Sequence, residues 1–77
     1  MAPVPRYYFH FPDGAAGRDM VGEELPDRAA AWEEATVILG QAARDHGPAL
    51  LDRPLRLQVT DQFHNPILEL HVGARLI

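Results

Sequence analysis

The sequence contains no cysteine, no serine and no lysine. Without cysteine there is no disulfide and no thiolate metal site. Without serine or cysteine the commonest nucleophiles of acyl transfer are missing, and without lysine there is no Schiff-base chemistry. Side-chain hydroxyls are confined to Thr36, Thr60, Tyr7 and Tyr8. Positive charge rests on arginine alone, scattered from Arg6 to Arg75 with no basic run, and the net charge is −4. Binding to a phosphate backbone depends on clustered cations, so neither a nucleic-acid nor an anionic-membrane partner is expected. No apolar stretch approaches the ~18 residues of a membrane-spanning helix. The opening Met1-Ala2-Pro3-Val4-Pro5-Arg6 has none of the regions of a signal peptide. The expected location is the cytoplasm.

A chain of 77 residues is expected to form a single α+β domain over its whole length, since domains typically run ~50–250 residues. A domain this small buries only roughly 60–65% of the surface its unfolded chain exposes. Covering one sheet face with one helix uses most of its large apolar residues and leaves few to wall a deep pocket.

Local patterns place the elements. Arg6 to Phe11 alternates, with Tyr7, Phe9 and Phe11 on one face and Tyr8 and His10 on the other, which is a strand signal ended by the turn chemistry of Pro12-Asp13-Gly14. Asp19-Met20-Val21 is a candidate short strand pairing back on the first, with a surface loop as the alternative. Asp27 is a good N-cap for a helix from about Arg28 to His46, which Gly47 and Pro48 terminate. A helical wheel gathers Ala31, Trp32, Ala35, Ile38, Leu39, Ala42 and Ala43 into one apolar stripe, with Val37 an exposed exception. The connector after the helix carries Leu50 and Leu51, expected to cover an end of the core. Leu55 to Thr60 and Ile67 to Val72 alternate again, with Leu55, Leu57, Val59, Leu68, Leu70 and Val72 facing inward, and the turn-rich stretch 61–66 joins them into a hairpin. The expected fold is α+β: a two-layer sandwich of one helix on a three- or four-stranded, mainly antiparallel sheet, in the order β-(β)-α-β-β.

Taken together, Arg6-Tyr7-Tyr8-Phe9-His10-Phe11, Asp13-Gly14, the stretch from Asp19 to Asp27 before an alanine-rich helix, and Val59-Thr60-Asp61 with Asn65-Pro66-Ile67-Leu68 resemble a family of short bacterial proteins catalogued as a domain of unknown function. His10 stands where that pattern has an acidic residue, and Phe63-His64 where it has a more polar turn. The resemblance implies the single-domain fold and brings no activity with it. A fainter, fold-level likeness is to the N-terminal module of HicB-type antitoxins, where an aromatic strand and a Gly/Asp-rich hairpin also precede an Ala/Glu-rich helix. Its implication is a toxin-binding role.

Candidate chemistry is sparse. His10, His71 and Glu69 share the outer sheet face and would converge as N,N,O ligands if the first and last strands were neighbours. Ordinary polar residues on a solvated face are the simpler reading, so no metal and no cofactor is expected. His46 is placed at the negative end of the helix and His64 in a turn. Asp13, Asp19, Glu23 and Glu24 are read as turn formers and as charge compensation for the helix start, not as a catalytic cluster. No catalytic residue is assigned and no enzyme is expected. The outer face, with Tyr8, His10, Arg56, Gln58, Thr60, Glu69 and His71, combines aromatic and arginine side chains in an interface-like composition. The expected function is a non-enzymatic interaction module, a homodimer with room for a protein partner, associating through that face or an unpaired strand edge. The alternative is a small-ligand or metal-binding protein using the same face.

Overall fold

The computed structural model describes residues 4–12 and 21–77. The elements run β1 (Arg6–His10), β2 (Glu23–Glu24), α1 (Arg28–His46), a 3-10 turn (Gly47–Leu51), β3 (Leu55–Thr60) and β4 (Pro66–Val72). The strands form one four-stranded sheet in the order β2-β1-β3-β4, with every neighbouring pair antiparallel. One helix lies on one face of it, against β3 and β4 above all. This is the α+β sandwich expected from the sequence.

The helix begins and ends where its signals place it. Asp27 is extended, and its carboxylate accepts the Ala30 N–H at 2.9 Å, satisfying a donor of the first turn. At the other end Gly47 takes φ 59° and donates its N–H to the Ala43 carbonyl. This is a backbone conformation glycine adopts without penalty. Pro48 then opens the 3-10 turn instead of prolonging the helix.

Alanines set the helix close to the sheet. Ala31 and Ala35 are fully buried, and with Leu39 they meet Tyr7, Leu57 and Val59 to form the core. Phe9, Phe11, Leu25, Ile38, Leu55, Leu68, Leu70 and Val72 pack around it, partly buried. Small side chains on the helix and large ones on the sheet fill the space between layers without forcing them apart.

Four expectations need correction. Trp32 is 50% exposed and stands outside the apolar stripe, because the helix needs only small residues at its closest approach to the sheet. Leu51 is exposed and covers nothing, whereas Leu50 is half-buried. The second strand lies at Glu23–Glu24, not at Asp19-Met20-Val21. Asp19 and Met20 fall outside the described residues, and Val21 lies in a bend before Gly22. Finally, strict alternation would send Ile67 to the outer face. A register shift at Val59/Thr60, where Thr60 faces Pro66 and Val59 faces Leu68, inserts Ile67 as an extra residue. Both Ile67 and Leu68 therefore reach the core.

Candidate functional site

The sheet face away from α1 is the candidate site, and the strand order decides what meets on it. Tyr7, Leu57 and Val59 are buried under the helix, so the alternate residues of each strand point to the other side. Register then sets Tyr8 beside Thr60, His10 beside Gln58, Gln58 beside Glu69, and Arg56 beside His71. All six candidate interaction residues, Tyr8, His10, Arg56, Gln58, Glu69 and His71, lie on this one face.

They form two small polar groups. His10 Nε2 and Gln58 Oε1 are 3.0 Å apart, while His10 Nδ1 is buried and has no hydrogen-bond partner among the described residues. Arg56 Nε lies 3.1 Å from Glu69 Oε1, and His71 Nε2 lies 3.8 Å from Glu69 Oε2. Arg56 and Glu69 are each more than a third exposed, so solvent screens the pair and it adds little stability. The convergence of His10, His71 and Glu69 does not occur. β3 separates β1 from β4, which sets their residues about 10 Å apart at two strand spacings. Among the described residues no three His, Asp or Glu side chains gather as a metal site would require.

Two parts of the face escaped sequence reasoning. His64 has φ 65°, a conformation in which histidine is several-fold enriched over most non-glycine residues. That backbone turns its ring onto Tyr8, with centroids 4.8 Å apart and planes tilted by 32°. Thr60, opposite Tyr8, is only 3% exposed, so this end of the face is packed and not merely wet. The second is the anchor at Arg6. Its guanidinium donates to the Val21 carbonyl at 2.7 Å and to Glu24 at 2.9 Å, tying the segment before α1 to β1. Glu24 thus serves β1 and not the helix start, whose first turn carries no acidic residue.

The turn that presents His64 is organised by one carboxylate. Asp61 Oδ1 accepts the N–H groups of Phe63 and Asn65, each at 2.9 Å. The Asn65 backbone amide above all, helped by the Phe63 amide, the Asn65 side chain and the charge of Arg28, holds the Asp61 carboxyl below its ordinary value of 3.8, against desolvation, the second-largest effect. A depressed folded-state pKa means the contribution is complete above the unfolded value and disappears as pH falls through the folded one. Acid titration of the hairpin should therefore show a stability loss beginning below about pH 4. Asp61→Asn, which keeps an acceptor oxygen and loses the charge, should remove that step. Identical acid profiles for the two proteins by circular dichroism would refute this assignment.

Among the described residues no helix is long and apolar enough to cross a membrane. No curated protein and no solved structure matches the chain. The family model for the domain of unknown function DUF6894 matches residues 6–73, nearly the whole sequence, and the chain belongs to that family.

Proposed function

We propose that the domain is a non-enzymatic, cytoplasmic interaction module that associates with a second copy of itself and carries a protein partner on its outer sheet face. The observation that carries this reading is the imbalance of the two layers. One helix covers one face of a four-stranded sheet, and among the described residues no second helix or sheet lies on the other face. That face holds a tilted Tyr8–His64 pair beside the polar groups of His10, Gln58, Arg56 and Glu69. Aromatic and arginine side chains are the residues that anchor interfaces. The fold-level likeness to HicB-type antitoxin modules makes a toxin the first partner class to test.

Light scattering on the folded protein at micromolar concentration should give the mass of two chains, and a folded monomer would overturn self-association. Co-expression with the product of an adjacent gene should give a complex that Tyr8→Glu abolishes while the dimer persists. A complex indifferent to Tyr8→Glu would remove the outer face from the proposal. The second reading, a small-ligand or metal site on this face, has one observation in its favour: His10 Nδ1 is buried and has no partner among the described residues. One zinc or nickel per chain, lost in His10→Ala, would favour it over the first.

A further inference from the structure

Resting on the self-association reading, we infer that the second copy pairs along the free edge of β4, antiparallel, about a two-fold axis through Leu70. The two edges of the sheet differ. β2 has only two residues, too few to template a partner strand, whereas β4 has seven. Among the described residues β4 pairs with β3 alone, so its other side is an open row of backbone donors and acceptors. Features that blunt an edge, proline and a bulge, are confined to its start at Pro66 and Ile67. Leu68 to Val72 has neither.

The register follows from the side chains. Directly opposed residues of an antiparallel pair point to the same face, so a two-fold axis must pass through a residue and not between two. An axis at Glu69 sets two carboxylates face to face, and an axis at His71 sets two imidazoles face to face. An axis at Leu68 runs the partner into Pro66, and one at Val72 leaves His71 opposite Gly73. An axis at Leu70 sets Glu69 opposite the partner's His71 and His71 opposite the partner's Glu69. It also sets Leu68 opposite Val72, and Leu70 opposite its own copy. An imidazole N–H can donate to a carboxylate whether or not the ring is charged. Charge and hydrophobicity are thus both self-complementary in this register alone, as an isologous contact requires.

The helix layer agrees. Leu68, Leu70 and Val72 lie on the helix side yet stay only partly buried, because among the described residues no strand flanks β4 beyond its edge. α1 sits over β3 and β4. With strands ~4.8 Å apart, continuing the sheet through the axis brings the second α1 to about 10 Å from the first, the separation of packed helices. The groove between them then closes over those three side chains.

The test is a charge swap read by sedimentation equilibrium. His71→Glu, which opposes carboxylates twice per dimer, should weaken association about tenfold or more. The double variant Glu69→His with His71→Glu should restore it to within a few-fold. That swap keeps a carboxylate beside Arg56, which faces residue 71 directly, so folding is not sacrificed, and circular dichroism checks this. Tyr8→Glu should leave the dimer intact. If the dimer ignores His71→Glu, or if the swap is no better than the single variant, the edge inference fails while self-association stands. A monomeric wild type overturns both.

Discussion

Leu57→Ala is expected to lower the unfolding free energy by about 2–5 kcal/mol, the range for deleting a buried leucine side chain beyond its β-carbon. Leu57 is fully buried at the middle of β3, facing Leu70 across the hairpin and belonging to the cluster of Ala31, Ala35 and Leu39 below the helix. The loss has two parts: the transfer free energy of the removed carbons and the cavity they leave. Collapse of the cavity is restricted because two of the three buried helix residues in this cluster, Ala31 and Ala35, have no side chain long enough to swing into the space. A domain of this length commonly has a stability near ~5 kcal/mol, so a loss at the upper end of that range should leave a large share of the population unfolded. Urea denaturation measures it, with Leu76→Ala, exposed at 81%, as the comparison that should shift by no more than ~0.5 kcal/mol. Equal midpoints for the two variants would show that the core does not centre on β3.

Gly22→Ala should be the most damaging change outside the core, at about 2–4 kcal/mol, because two separate penalties add. Gly22 has φ 70°, where an L side chain is strained. A β-carbon there would also sit 2.8 Å from the Tyr7 carbonyl oxygen, 2.9 Å from Tyr8 Cε1 and 3.0 Å from Arg6 Cγ. The first of these is backbone of β1 and cannot step aside. Relief must come from the 21–24 segment lifting away, which breaks the Arg6–Val21 bond and the Leu25 N–H bond to the Pro5 carbonyl. Hydrogen exchange distinguishes this from general destabilisation. The Leu25 amide should lose protection in Gly22→Ala at conditions where β3 and β4 amides keep theirs. Uniform loss across the sheet would contradict the local account.

The contrast between these two sites also explains what was legible in the sequence. Leu57 lies in a run whose alternation states its face, and the helix from Arg28 to His46 is delimited by Asp27 and Gly47, whose roles are local. Period and cap chemistry depend on neighbours in sequence, so they survive without knowledge of the fold. β2 is different. Its position at Glu23–Glu24 depends on Arg6 reaching across the chain and on Gly22 passing close over β1, and neither contact leaves a periodic trace. Val21 looked like a strand residue because it is β-branched, but the pairing partner chose Glu23 and Glu24, beyond Gly22. Ile67 escaped for a related reason: alternation assumes an unbroken ladder, and one inserted residue moves it to the other face. Of the outer face, membership was readable from alternation in β1, β3 and β4. The neighbours were not, because the order of strands decides that His10 meets Gln58 and never Glu69 or His71. His64 joins Tyr8 only through a left-handed backbone conformation that its position in a turn does not by itself dictate.

The strand order has a kinetic corollary. Joining β4 to β3 closes only the short turn organised by Asp61, and α1 enters β3 through a single 3-10 turn. Seating β1 against β3 closes a far longer loop, 48 residues from His10 to Gln58. That is roughly three doublings of loop length, an added closure cost of about 2 kcal/mol. Helix and hairpin are therefore expected to assemble first as one cooperative unit, with β1 docking last and carrying β2 with it. The same hierarchy runs in reverse on opening. The N-terminal strand detaches while the rest persists, and amides of β1 exchange ahead of those shared by β3 and β4. The edge that first becomes vacant is then the inner flank of β3, on the opposite side of the hairpin from the edge that β4 offers to a partner, so opening at one side leaves association at the other intact.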